Sequence, residues 1–581
     1  MFYKKSFLFG LSAFFTFLLA SIYITFPLIL HLGDYATGLG DELVIAWIQS
    51  WVIHTLFTDP FSLFNANIYF PNHNTLAYSD LFLTGSLLSF LPAHFIGQPI
   101  AANNTLLIFA ILSLGFSLYL LTYYLTRDFF ASLLSGLLVV FSPATLSFSV
   151  HLQILFIAFV PFSLLFFIIF LKTEKTRFLI FSLLFFLLQV YNSFLPGYFI
   201  LFSYVILLIF IWFDNKKNIL QIIAIKNIIL FLITFAMVVP VALPYLQVSK
   251  EFHYVRDIRD TIHFALQPED MLYPGSTTGL GQLLLKTVPT NNYSQNNEFK
   301  PGYLGAIFSL LVLFSLIYLW RFRKKIDVYT KSFFVIALLG FILSLGPFLH
   351  INRQTIHHPF PIPLPYVLFY YVIPGFEGLR NTARWEMLFI IAIAIVIGLV
   401  MNKSLKKTSS KIKAVIYVSF FILIIMEFVP MQFVSVPQVK DFPKVSFWMI
   451  TTPKNATFIQ MPVYNWNTLF SQQEMLREYY NTLNLRKTVN GYTGFSPPPW
   501  QVLVTLELKQ FPDTESIQQL KAIGVQYAVV YKTDYDKLYE KRFTLDKTHI
   551  ASGSAIVNQA AKQKNLQLIT IIGDTYIYRL R

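Results

Sequence analysis

From residue 7 to residue 430 the chain alternates long apolar runs with short polar loops. Runs long enough to cross a bilayer as helices begin near residues 7, 103, 129, 152, 177, 193, 225, 303, 332, 384 and 413. A further run, Leu81 to Gly97, has roughly 17 residues, the lower edge of a spanning length, and carries Pro92 and His94. Loop charge decides between crossing and lying flat. If residues 81–97 form a helix in the outer interface, then MFYKK, Arg127, KTEKTR (172–177), NKK (215–217), RFRKK (321–325) and NKSLKK (402–407) all face the cytoplasm. If they cross, every basic loop after the first is inverted. Residues 31–102 contain no Lys or Arg, which fits an outer loop.

Eleven spans follow, with the N-terminus cytoplasmic. Segments 31–102, 148–151, 191–197, 247–302, 350–383 and everything after Pro430 then lie outside. Past about residue 436 the periodicity changes. VSFWMITT reads as a helix, while ATFIQMPV, GVQYAVVYK and LQLITIIGDTYIYRL read as strands around the turn-rich VNGYTGFSPPPW. The expected fold is mainly α, a polytopic helical membrane domain over 1–435 with interfacial helices in its first outer loop. A small extracytoplasmic α/β domain is expected over 436–581.

Composition sharpens this picture. Of 581 residues, 55% are hydrophobic and 13% charged, and a mean hydropathy of +0.59 excludes an ordinary soluble protein. The formal charge of +15 sits in short loops, where it sets orientation in a lipid bilayer, so nucleic acid is not an expected partner. Without cysteine there are no disulfides and no thiolate metal sites. The first run, Ser6 to Leu30, is too long for a signal-peptide core and lacks a small-residue cleavage site, so it is expected to stay as a span of a multi-pass cell-membrane protein.

Polar chemistry gathers on the outer side. In GLGDELVIAWIQSW (38–51), a helix from Asp41 stacks Val44, Trp47, Ile48 and Trp51 on one stripe, with Glu42 and Gln49 on another. That pattern predicts an amphipathic interfacial helix. Asp41 reads either as a catalytic carboxylate or as the helix N-cap, and Glu42 is a second catalytic candidate. The loop continues as DPFSLFNANIYFPNHNTLAYSD (59–80). Its Asn72 suits a sugar hydroxyl, Asp80 is a third candidate carboxylate, and Tyr69, Phe70 and Tyr78 either stack on sugars or anchor the loop. His151 and Gln153 top the third span, and Tyr191, Asn192 and Tyr198 make a polar break between the fifth and sixth. These add His151, Gln153 and Tyr198 as substrate-binding candidates. In PGFEGLRNTARWEMLF (374–389), Arg380 and Arg384 are four apart and would share a helix face. Their planar forks suit a phosphate, the alternative being ion pairs with Glu377 or contacts to lipid headgroups. Asp41 and Asp80, if close, could hold a divalent cation, Mg or Mn, although no ligand spacing demands one.

In these stretches the chain resembles the GT-C glycosyltransferases, multi-spanning membrane enzymes, and most clearly a family of bacterial and archaeal members of that class. The pattern runs through GDELVIAWIQSW, NANIYFPNHNTLAYSD, SPATLSFSVHLQ, PGFEGLRNTARWEML, VNGYTGF and GVQYAVV, over nearly the whole chain. The resemblance implies inverting transfer of a hexose or pentose from a polyprenyl-phosphate donor to a glycan, lipid or protein acceptor at the outer face. It also implies an acid/base role for Asp41. Many members have Asp-Pro where this chain has Asp41-Glu42. The rival readings are a transporter or flippase for a lipid-linked saccharide and a non-catalytic envelope scaffold. A transporter favours charges at the bilayer midplane, whereas Glu386 and Glu427 fall near the outer ends of their spans.

Overall fold

The computed structural model describes residues 2–214, 224–272, 274, 302–351, 354–356, 360–464, 471–545 and 551–581. The basic loop NKK (215–217) and half of the expected outer segment 247–302, residues 273 and 275–301, lie outside these residues. The chain is mainly helical, with a small sheet near its C-terminus. Each of the eleven apolar runs contains a helix. Among the described residues six helices are long and apolar enough to cross a membrane, from Ser6–Ile24 to Thr382–Ser404. A seventh arises if Phe129–Val140 and Pro143–Val150, bent by 48°, count as one span. The protein is therefore a multi-pass membrane protein. Leu83–Ile96 is a 14-residue helix. At 1.5 Å per residue it reaches only about 21 Å, short of a hydrocarbon core of about 30 Å.

The chain divides into two compact units. A helical unit comprises Met1–Leu30, Leu106–Val241 and Tyr254–Gln432, and a mixed unit comprises His31–Thr105, Ala242–His253 and Phe433–Arg581. The first loop and the tail thus belong to one body.

In the helical unit, close packing rests on small residues. A Cβ on Gly340 would lie 2.6 Å from the Phe389 amide, so Val328–Ser344 and Glu386–Ser404 meet backbone to backbone. Its two ends differ chemically. At one end Lys413 pairs with Asp128, Lys403 pairs with Asp327, and the Lys172 ammonium sits 4.9 Å and 4.5 Å from the Tyr124 and Tyr329 ring centres. Asp128 and Asp327 also cap the helices that follow them, accepting from Ala131 and Thr330 amides. The basic loops expected to share one membrane side are therefore joined to one another. Elsewhere the Glu427 carboxylate accepts from the Tyr303 hydroxyl at 2.8 Å and the Ala306 amide at 2.7 Å, capping Ala306–Arg321.

The mixed unit is built on a five-stranded sheet. Thr457–Met461, fully buried, lies parallel to both Lys487–Thr488 and Tyr527–Tyr531. Thr575–Leu580 then pairs antiparallel with Tyr527–Tyr531 and with Leu566–Ile572. Four of these strands fall in the stretches that the alternation predicted, Lys487–Thr488 being the one it did not, and Lys444–Ile450 is the expected tail helix. The first loop completes the fold. The Tyr69 and Phe70 amides donate to the Asn490 and Thr488 carbonyls, and the Thr488 amide donates back to Asn67, so residues 67–70 extend the sheet at its short edge strand. Tyr69 packs edge-on to Trp500 at 5.0 Å, and a Cβ on Gly491 would meet its ring at 2.8 Å. VNGYTGF is thus a seat for the loop, and glycine is what lets the Tyr69 ring sit down. Tyr35–Ala36 pairs with Val434–Ser435 in the same sense.

Candidate active site

The acidic stretch begins an 18-residue helix, Asp41–Thr58. Gly40 is its N-cap residue and Asp41 the first helical residue, so the N-cap reading of Asp41 is corrected. No side-chain cap bond is made at Gly40. Glu42 instead reaches back, accepting from the Thr37 hydroxyl at 2.7 Å and the Gly40 amide at 3.1 Å. It is 2% exposed, and burial pushes its carboxyl above the ordinary value against the pull of those two donors. Asp41 is half-buried, at the positive end of the helix, where an ionised carboxylate is favoured. Two adjacent carboxylates are therefore separated in role by geometry: Glu42 fastens the turn and Asp41 stands at its mouth.

The amphipathic expectation for this helix also needs correction. Residues 42–49 are all buried, including Glu42 and Gln49. Helix Gln472–Asn481 packs against it, and Leu43, Ala46 and Tyr479 share an apolar cluster with Ala36, Ile100, Val436 and Phe442. The Trp47 indole donates to Asn67 at 3.1 Å, tying helix to loop. A stripe of mixed polarity that looked wet is covered by chain from the far end of the sequence.

Asn72 donates its amide to the Tyr69 carbonyl at 2.8 Å, closing the turn after Phe70-Pro71. Asp80 is half-buried between the turn Thr75–Tyr78 and helix Leu83–Ile96, and the Tyr245 hydroxyl donates to the neighbouring Ser79 carbonyl at 2.9 Å. Asp41, Glu42, Asn72 and Asp80 all belong to the mixed unit. Among the described residues no group of three or more His, Asp or Glu is placed to hold a metal ion.

The helical unit carries the other candidates. His151 and Gln153, 7% and 9% exposed, follow the bent pair of helices. The Tyr198 hydroxyl donates to the Pro374 carbonyl at 2.6 Å, and its ring meets Phe376 at 5.4 Å. Phe376 in turn packs on Trp385 at 5.5 Å, so Tyr198 and the arginine motif are brought together. Arg380 does not share a helix face with Arg384, which corrects the spacing argument. Asn381 has extended backbone before the turn Thr382–Trp385, so Arg380 lies outside the helix and its guanidinium sits 4.6 Å from the Phe264 ring centre. The Ala383 amide donates to the Phe264 carbonyl, fixing that strand of chain against 264–266.

Two features went unread in the sequence. Glu386 is fully buried and neither carboxylate oxygen has a partner among the described residues. Its one signal was a lone acid at the start of an apolar run. In the tail, Arg477 is 5% exposed, bonded to Glu474 at 3.0 Å and Asp534 at 2.9 Å, and flanked by the Tyr464 and Tyr531 rings.

No family model and no curated protein sequence matches the chain. Solved structures do. The arabinofuranosyltransferase AftD from Mycobacteria is similar at a TM-score of 0.54 and 12% identity, over 98% of this chain and 40% of that one. A mutant form of that enzyme gives 0.57 at 12% identity, over 98% and 41%. The oligosaccharyltransferase AglB from Archaeoglobus fulgidus, solved with an inhibitory peptide and a dolichol-phosphate, gives 0.45 at 12% identity over 99% and 74%, too low to carry an argument about this chain. The chain spans about two fifths of the length of AftD. These neighbours are GT-C glycosyltransferases, and the fold of this chain is of the GT-C type.

Proposed function

We propose that the protein is a membrane glycosyltransferase that moves a sugar, hexose or pentose, from a polyprenyl phosphate to a glycan, lipid or protein acceptor at the outer face. The N-terminus lies in the cytoplasm and the mixed unit outside. One observation carries the reading: a half-buried Asp41 at a helix head, with its turn locked by a buried neighbouring carboxylate, inside a GT-C fold. In this mechanism Asp41 takes the proton of the acceptor hydroxyl as that oxygen attacks the anomeric carbon. The bond from that carbon to the phosphate oxygen breaks, its electron pair leaves with the lipid phosphate, and configuration inverts. Arg380 and Arg384 stabilise the charge growing on the phosphate. Asp80 orients the acceptor, and Asn72, His151, Gln153 and Tyr198 contact sugar hydroxyls. Glu42 acts through Asp41, as a positioning residue. Absence of Lys and Arg from 31–102 supports the outer placement of the loop.

Transfer of labelled sugar from a polyprenyl phosphate by purified Asp41→Asn protein tests this. The amide keeps size and shape but accepts no proton, so turnover should fall by about 10²–10⁴-fold with the fold intact. Full turnover in that variant would move the base elsewhere. An EDTA-treated sample measured alongside reports whether a cation takes part. The cysteine-free chain also permits single-cysteine labelling with an impermeant reagent. A cysteine at Gln98 should label and one at Thr173 should not.

A further inference from the structure

The mixed unit contains a cavity of about 350 Å³ between helices Asp41–Thr58 and Leu83–Ile96, closed at one edge by Thr482 and Leu483. We propose that it is a binding site for a neutral, hydroxyl-rich ligand, a single sugar ring, and that it holds the saccharide of the acceptor. The second clause rests on the transferase reading above; the first does not.

Chemistry of the walls selects the ligand. No Lys, Arg, Asp or Glu lines the cavity. The polar contributors are hydrogen-bonding side chains, chiefly Gln49, Ser50, Ser86, His94 and Gln98, with the Phe90 ring among apolar walls. The Ser50 and Ser86 hydroxyls spend their protons on the Ala46 and Phe82 carbonyls, so what they offer a ligand is lone pairs. Gln49 is 1% exposed. Its Nε2 donates to the Ser89 hydroxyl at 3.2 Å, while its Oε1 has no partner among the described residues. A buried acceptor without a donor is rare in a native fold and calls for one from outside the chain. A phosphate brings further acceptors to Gln49 Oε1 and the serine lone pairs, and an alkyl chain leaves Gln49 unanswered. Sugar hydroxyls donate, and the C–H face of the ring suits Phe90.

Helix Leu83–Ile96 is arranged to make this wall. Ser86, Phe90, Ala93 and Gly97 follow one another at helical spacing along the cavity. Leu87, Leu88, Leu91 and Phe95, on other faces, are exposed, Phe95 to 84%. The volume is at the small end for ligand sites, enough for one ring rather than a chain. Gln49 lies eight residues beyond Asp41 on the same helix, about 12 Å along its axis.

The purified full chain tests the site without turnover. Saturation-transfer NMR with a methyl hexoside and a methyl pentofuranoside should give binding that weakens at least tenfold in Gln49→Leu and disappears in Ala93→Trp, which fills the cavity. Neither inorganic phosphate nor decanol should displace the glycosides. The same binding should persist in Asp41→Asn, so loss of catalysis and loss of this site are separate results. No glycoside signal with the wild-type chain overturns the proposal, as does equal binding in both cavity variants or displacement by decanol. Should Ala93→Trp fail to fold, Gln49→Leu alone decides.

Discussion

Arg477 of the mixed unit and Glu386 of the helical unit are both withdrawn from solvent, yet they are treated differently. Around Arg477, Glu474 accepts from the guanidinium, the Tyr464 amide and the Asn490 side chain, and Asp534 takes the other end of the fork. Around Glu386, neither its own oxygens, nor the Thr382 hydroxyl one turn earlier, nor the Trp385 indole has a partner among the described residues. A closed network in a low-dielectric interior holds a fold in one arrangement. Unanswered polar atoms at the head of a span are a cost that packing alone does not explain. The difference separates a closed polar network in the mixed unit from unanswered polar atoms of Thr382, Trp385 and Glu386 in the helical unit.

Five changes break or sharpen that contrast. Arg477→Ala leaves the buried Glu474 carboxylate without its cation and should destabilise the mixed unit by about 3–5 kcal/mol, seen as lost protein in a thermal-stability assay. Arg384→Ala should do the reverse, leaving the melting temperature unchanged while kcat falls about 10²–10³-fold. Arg384→Lys keeps the charge without the fork and should fall between the two. An Arg384 variant that melts early with normal turnover would erase the contrast. Gly491→Ala pushes a methyl into the Tyr69 ring and should destabilise by roughly 1–3 kcal/mol, measured by thermal denaturation. Glu478→Gln should have the smallest effect, visible as a slope. Burial holds the Glu478 carboxyl well above its ordinary value, although the Tyr492 amide donates to it. Its raised value means full stability below the ordinary carboxylate range and loss as pH rises through the folded value. The glutamine variant should melt higher than wild type at neutral pH and show a flatter dependence between acid and neutral conditions.

Length and alternation carried much of this fold. An apolar run of some twenty residues has few alternatives to a helix, and ATFIQMPV or LQLITIIGDTYIYRL is patterned as a strand wherever it lies. What the pattern could not carry was covering at long range. Glu42 and Gln49 read as a wet stripe because their neighbours in sequence are loops, while Glu42 folds back onto Thr37 and Gly40, Gln49 bonds Ser89, and helix Gln472–Asn481 packs on Leu43 and Ala46 from some 430 positions away. Asn490 and Gly491 read as an ordinary turn for the same reason. Arg380 was misplaced by a local cause. Gly375 at φ +85° and the extended Asn381 interrupt a stretch whose spacing alone suggested a continuous helix.

The seating of residues 67–70 on Thr488 and Asn490 sets a timetable. The loop leaves the ribosome early, but its seat is translated some 420 residues later. At 5–20 residues per second that interval is roughly 20–85 s. Throughout it, the Tyr69 ring and the buried face of Asp41–Thr58 must be kept from other partners by lipid or by a chaperone. Asp41, the proposed base, therefore gains its fixed surroundings only in the last stage of synthesis.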